Sequence, residues 1–486
     1  MLTDNQIIRF ILAFKVRSLR LEKGFSYQNL SDATGLSTSY LSDIEKGKRY
    51  PKPDKINQLA KALDVDYNYL VGTNTSKKLK PVIDLITSNF FKLFPLKEFG
   101  INMEMVVELF SQTPDRVNAF ISTFFKIARN YQIDEQEFHL EALRSYQNLH
   151  NNHFPELENA AAAFKTEFSI DPAQPLSPEF LEEQLLELYD IQINRTALSS
   201  NQSLLKLRSF YNPTSKTLYL AQNLSAPQES FLIARELGFH FLKLKKRPYE
   251  TTIIDIKSFE VLWNNYKASH FAAALLMDAQ SLSQDLLSIF RQNTWNPTSL
   301  IDLLDKYNVS TEMLLQRLTN ILPHHFGLED LFFIKLEGDS DLKRLRMSKD
   351  LHLSQLHNPY NNLLEEHFCR RWVACKSIQD RVKEDSPSVI ANVQISDFWE
   401  SDKSYLCFSL ASKSTSSKSV TLGLLINEKL RSIIYFLNDP KVLKRTVNTT
   451  CQRCAVPNCQ ERVSEPVFII QEEKRKQMIR ELNELL

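Results

Sequence analysis

Glycine is conspicuously scarce in this sequence, with 9 residues in 486, about a quarter of the usual ~7%. A chain with so few residues free to take left-handed backbone is poorly suited to a turn-rich β architecture. Leu, Ala, Glu, Gln and Lys are plentiful instead, and these favour helix. The expectation is a mainly α, multidomain protein, and ~150 residues per domain gives roughly two to four domains. Long apolar runs are also missing. No window approaches the ~18 uninterrupted apolar residues of a membrane span. The opening stretch, MLTDNQIIRFILAFKVRSLR, interrupts its apolar run with charges and lacks a small-residue cleavage site, unlike a signal peptide. A cytoplasmic protein with no membrane role is therefore expected. Cysteine is sparse, six in all, and in a reducing cytosol clustered cysteines more often bind metal or act in redox chemistry than form disulfides.

Charge of one sign is lacking overall, with a formal net charge of +1, yet residues 1–80 hold 14 Lys/Arg against 8 Asp/Glu. Such local basicity fits a nucleic-acid-binding module joined to something else, or simply a solvated basic face. Between Phe10 and Leu70 the pattern gives five short helices. The first runs to Lys23 and stops at Gly24. Ser26 caps a second, Ser26 to Ala33, with Leu30 and Ala33 keeping the apolar spacing. TGLS then makes a tight turn, Gly35 ending one helix and Ser37 capping the next. Two short helices joined by so few residues form a helix-turn-helix. In the second, Leu41 and Ile44 point inward. Thr38, Ser39, Tyr40, Ser42 and Asp43 lie on the side that reaches base edges in the major groove. Lys46, Lys48 and Arg49 follow and suit phosphate contacts, which position without reading sequence.

The stretch LSTSYLSDIEKGKRYPKPDKINQLAKALDV resembles the lambda-repressor-like (XRE-type) helix-turn-helix family, in which Ile-Glu-x-Gly-x-Arg-x-Pro closes the recognition helix. Ile44, Glu45, Gly47, Arg49 and Pro51 stand in that order. The departure is at Tyr27, where the family has a phosphate-contacting glutamine. A tyrosine hydroxyl also donates to phosphate, so Tyr27 and neighbouring Gln28 join the candidate DNA contacts. The resemblance implies a double-stranded DNA operator.

TSKKLK, Thr75 to Lys80, reads as a linker after a DNA-binding domain over 1–74. Residues 81–170 read as long amphipathic helices, packed within one subunit or pairing two. Heads of this type bind paired half-sites, which favours a homodimerisation region here. In 171–329, a short strand at Thr217 to Leu220 leads to a helix bearing RELGF. This resembles the ImmA/IrrE metallopeptidases, whose helix carries His-Glu-Leu-Gly-His. In that motif two histidines on one face grip zinc and the glutamate polarises its water. Here Arg235 and Phe239 hold the ligand positions, and Glu236 alone of the set remains. A guanidinium stays protonated and a phenyl ring has no lone pair, so neither binds zinc. His240, one position late, reads as a packing histidine, and Lys267 stands near where an acidic third ligand is sought. A degenerate zincin-like α+β domain without hydrolysis follows. Arg235, Lys243 and Lys267 would face an anion there, unless Arg235 is paired internally.

Residues 330–486 alternate strand-like runs (LFFIKL, SYLCFSL, SVTLGLLI) with helices, as in an α+β sensory domain. CQRCAVPNCQER packs Cys451, Cys454 and Cys459 into nine residues. The Cys-x-x-Cys spacing lets two thiolates turn to one metal, and the turn at Pro457 and Asn458 brings the third round. Cys369, flanked by Arg370 and Arg371, is the candidate fourth ligand. Cys375 and Cys407 read as buried packing thiols. The order of parts resembles the short-chain fatty acyl transcriptional regulators, which implies a DNA-binding regulator responsive to acyl-CoA and able to carry an iron–sulfur cluster on these cysteines. Structural zinc is the alternative. The rival functions are a zinc metallopeptidase that cleaves a repressor and an antitoxin-like DNA-binding protein. Arg235 and Phe239 argue against the first.

Overall fold

The computed structural model describes residues 4–72, 95–102, 105, 135–171, 174–251, 256, 258–338, 342, 344–352, 366–382, 388–412 and 417–485. These fall into two compact units, Met1–Tyr146 with Asp255–Trp263 and Gln147–Ile254 with Asn264–Leu486. The expected linker at 75–80 and most of the helices expected between 81 and 134 lie outside the described residues.

The first unit begins with five helices, α1 (Asp4–Glu22), α2 (Tyr27–Thr34), α3 (Thr38–Glu45), α4 (Pro53–Leu63) and α5 (Tyr67–Val71). Their boundaries follow local chemistry. Ser26 and Asn29 form a reciprocal capping box at the start of α2, and Gly35 ends that helix at φ 71°. Ser37 Oγ accepts from Tyr40 N at the start of α3 (3.2 Å). Leu30, Leu41, Ile44 and Leu59 are fully buried in one cluster, each worth roughly 1.5–3 kcal/mol. A sixth helix, α6 (Glu135–Leu149), runs into the second unit.

The second unit contains α7 (Pro155–Glu167), α8 (Pro178–Tyr189), β1 (Gln192–Asn194), β2 (Ser209–Asn212), β3 (Thr217–Leu220) and α9 (Ala226–Phe241). It continues with α10 (Phe259–Leu276, entered from the first unit), α11 (Ala279–Phe290), α12 (Thr298–Tyr307), α13 (Thr311–Ile321), β4 (Leu331–Gly338) and β5 (Leu345–His352). It closes with α14 (Val373–Val382), β6 (Val389–Phe398), β7 (Ser404–Ser412), β8 (Ser417–Leu425), α15 (Glu428–Ile433), β9 (Leu443–Val447) and α16 (Val467–Glu484). A three-stranded sheet runs β1-β3-β2 and a six-stranded sheet β5-β4-β8-β7-β6-β9. The β1–β3 and β6–β9 pairs are parallel and the rest antiparallel. One apolar core extends from Ala161 to Val442 and takes in Phe333, Leu406, Phe408 and Leu422 from one face of the larger sheet. Inside it, Glu158 of α7 accepts from both Arg317 Nη atoms (2.5 and 2.7 Å) and lies 2.8 Å from His270 Nε2. Burial alone would raise the Glu158 carboxyl, but Arg317 outweighs it and holds the group well below its ordinary range.

The chain is about 52% helical with two mixed sheets, which corrects the mainly α expectation to a multidomain α+β fold. The physical reason is that glycine scarcity did not limit the turns. Lys216 (φ 46°) turns the β2–β3 hairpin, Glu400 (φ 55°) turns between β6 and β7, and Asp64, Asp190 and Asn308 end helices at φ 49–57°. The expected strands over Thr217 to Leu220 and in LFFIKL, SYLCFSL and SVTLGLLI are present as β3, β4, β7 and β8. No described helix is long and apolar enough to cross a membrane.

Candidate functional site

On the head, Thr38 and Ser39 are exposed and Tyr40, Ser42, Asp43 and Lys46 are half-buried along α3, with Lys48 and Arg49 exposed just beyond it. Arg49 lies over the Tyr40 ring (5.1 Å). Gln28 is exposed and donates to Asp32 (2.8 Å). The signature residues have structural reasons. Glu45 is fully buried and accepts from Arg20 Nε (2.6 Å) and Nη2 (2.9 Å). Gly47 has φ 68°, and a Cβ there would sit 2.6 Å from the Phe10 ring. Tyr27 packs its ring 4.3 Å from the Arg20 guanidinium. Burial, and then the Glu45 carboxylate, push the Tyr27 hydroxyl above its ordinary range.

In the middle region the helix that carries Arg235 and Phe239 holds a closed ion pair. Glu236, 2% exposed, accepts from Arg247 Nη1 (2.7 Å) and Nη2 (2.5 Å), and His240 Nε2 lies 3.1 Å away. Burial opposes the Glu236 charge, but His240 and Arg247 outweigh it and hold the carboxyl below its ordinary range. The Arg247 guanidinium sits 3.6 Å over the Phe239 ring and 5.1 Å from that of Tyr211. Nothing in the sequence signalled Arg247, which stands in a loop eleven residues after its partner. Arg235 is buried and donates to Ser209 Oγ (3.3 Å) and Asn265 Oδ1 (3.5 Å), and its Nε has no partner among the described residues. Burial lowers it to about 10. Arg235 is thus tied to β2 and α10.

The cysteines lie in the second unit. Cys369, Cys451, Cys454 and Cys459 line one pocket, together with Arg370, Arg371 and Arg462. Two segments make it. Phe368 pairs with Thr450 as an antiparallel bridge, Cys369 N donates to Thr449 O (3.0 Å), and Cys451 N donates to His367 O (2.8 Å). A buried carboxylate clamps them: Glu366 accepts from Arg453 Nε (2.9 Å), Arg453 Nη2 (2.7 Å) and Thr450 Oγ1. Burial opposes the Glu366 charge, and Arg453 outweighs it to keep the carboxyl below its ordinary range. Arg462 donates to the carbonyls of Cys451 (3.3 Å), Cys454 (3.2 Å) and Val456 (2.7 Å), and Asn458 turns the loop at φ 51°. Cys451 and Cys454 are buried and Cys459 is half-exposed. Burial pushes Cys369 up to about 11. Cys375 and Cys407 lie in an apolar cluster, fully and nearly fully buried, where burial pushes both up to about 12. Among the described residues, no group of three or more His, Cys, Asp or Glu side chains is placed to hold a metal ion.

Comparison with known proteins matches the helix-turn-helix model over residues 16–70 and the IrrE N-terminal-like domain over 187–319. The HTH-type transcriptional regulator RamB of Mycobacterium tuberculosis is 21% identical over 360 residues, 70% of this chain and 71% of that one. Control protein C.BamHI of Bacillus amyloliquefaciens is 37% identical over 75 residues, 15% of this chain and 90% of that protein. A solved Mycobacterium tuberculosis transcriptional regulator aligns with 67% of this chain and 93% of its own at 17% identity and a TM-score of 0.46. Through its head, the chain belongs to the helix-turn-helix family of DNA-binding regulators.

Proposed function

We propose that the chain is a sequence-specific transcriptional regulator. It binds an operator of two half-sites as a homodimer, and an iron–sulfur cluster at Cys369, Cys451, Cys454 and Cys459 sets its affinity. The observation that carries the proposal is the convergence of four thiols from two separate segments on one pocket. The donor chemistry fits, because thiolates are the ligands such a group takes. When bound, the cluster supplies sensitivity to redox state. The chain's own part is to hold the thiols: Glu366, Arg453 and Arg462 fix the loop's backbone, and Arg370 and Arg371 offset thiolate charge. An acyl-CoA-type ligand is a second input, supported by the family resemblance of the whole architecture. The proposal divides the chain into a head (1–74), a helical connector (81–170), a peptidase-like domain (171–329) and a sensory domain (330–486). It assigns no hydrolytic step, because Arg247 closes the site of Glu236.

Operator binding by the anaerobically purified full chain, compared before and after iron chelation, tests this. Affinity should change on chelation, and the change should be absent in Cys451→Ser. Lys48→Ala should weaken all DNA sequences alike and lower the salt slope by about 1, while Ser39→Ala should cost about 1–3 kcal/mol at the base it reads. Identical affinity with and without iron would refute control by a cluster and leave the DNA-binding assignment untouched.

A further inference from the structure

Helix α16 has no buried residue along its 18 positions. It leaves the body beside the Cys451–Arg453 turn, where the Arg453 guanidinium lies 4.5 Å over the Phe468 ring. From Ile470 to Leu485 every residue is exposed, with Met478 at 60%, Leu482 at 59% and Leu485 at 84%. A lone helix of this length is marginal in water, so its stability depends on covering an apolar face. Gln471, Arg475, Met478, Leu482 and Leu485 follow one another at spacings of four, three, four and three. These are a/d spacings, with Met478, Leu482 and Leu485 as the apolar members, Gln471 and Arg475 as the polar ones, and Lys474 and Glu481 at flanking positions.

We infer that α16 of a second copy of this chain fills the seam, running antiparallel. The inference rests on the two-copy part of the proposed function and adds the surface that joins the copies. Charge selects both occupant and direction. Parallel pairing would stack Arg475 on its own copy at the centre of the seam, a like-charge contact. Antiparallel pairing sets Arg475 beside Met478 and Gln471 beside Leu482. It also brings Lys474 against Glu481 across the seam, and two-fold symmetry makes that pair twice. Gln477 already donates to Glu481 within the helix (2.8 Å), which holds the carboxylate in place with acceptor capacity to spare. Because α16 is rooted on the turn that carries Cys451, the copy-to-copy contact is one short step from the thiol pocket.

The test is the mass of the full chain at micromolar concentration, free and on operator, by light scattering. Met478→Glu with Leu482→Glu should convert free dimer to monomer while leaving the melting transition of the rest of the molecule in place, since neither side chain is buried. Lys474→Glu and Glu481→Lys should each weaken the dimer, and the double swap should restore it. A dimer that survives Met478→Glu with Leu482→Glu overturns the inference and leaves the two-copy reading standing. A wild-type chain that is monomeric both free and on operator overturns both. Single charge variants that leave the dimer unchanged, or a double swap that fails to restore it, overturn the antiparallel arrangement.

Discussion

Two centres in the second unit are built around the same interaction, a buried glutamate clamped by an arginine, with opposite results. At Glu236 the clamp is Arg247, which donates to both carboxylate oxygens. At Glu366 the clamp is Arg453, and it stands beside the thiols, tying residue 366 to residues 450–453 while the pocket stays lined by four cysteines. The chemical meaning of a buried ion pair thus depends on what it displaces. In the first, Arg247 and His240 meet the carboxylate's charge, whereas in the second the pair ties two segments of backbone beside four thiols.

This contrast predicts a ranked set of effects. The largest is Arg247→Ala, which leaves Glu236 charged and buried and should cost about 3–5 kcal/mol in equilibrium denaturation. Arg247→Met combined with Glu236→Gln should recover most of that loss. Glu366→Ala comes next. Arg453 is 39% exposed at its side chain and can turn to water, so the stability loss should be smaller, about 1–3 kcal/mol. Metal content should fall with it, because the two segments of the pocket are no longer tied. If Glu366→Ala keeps full metal, the distinction between the two clamps is broken. A further contrast lies among the thiols themselves. Cys451→Ser should abolish metal retention on gel filtration, while Cys375→Ser and Cys407→Ser, both enclosed in apolar packing, should leave it unchanged.

The smallest effect is on pH dependence. Glu236 and Glu366 are both held below the ordinary carboxyl range. In acid the unfolded chain therefore takes up protons that the folded chain does not. Their contribution is fully present above the unfolded glutamate value of about 4.3 and is lost as pH falls below it. Glu236→Gln and Glu366→Gln should each flatten the acid limb of stability against pH. Denaturation midpoints between neutral pH and the acid limb check this.

The head was largely legible in the sequence because its signals are local: a capping serine, a glycine at positive φ and inward Leu41 and Ile44 fix α2 and α3 within a few residues of chain. That Arg235 and Phe239 cannot ligate zinc was legible for the same reason, being a matter of side-chain chemistry on one helix. The partner of Glu236 was not. Arg247 reaches Glu236 from a loop that carries no periodic signal, and Glu366 meets Arg453 across 87 positions of chain. The mainly α expectation failed because Lys216 and Glu400 take backbone that composition reserves for glycine. The exposed seam of α16 shows no local peculiarity either, and a helix with heptad spacing reads the same whether its face is buried or bare.

The most direct test of the central claim is the visible absorption spectrum and metal content of the full chain purified without oxygen. The protein should be brown with stoichiometric iron, bleached by air and colourless in Cys369→Ser, Cys451→Ser, Cys454→Ser or Cys459→Ser variants. A colourless preparation holding zinc, or no metal at all, would contradict it.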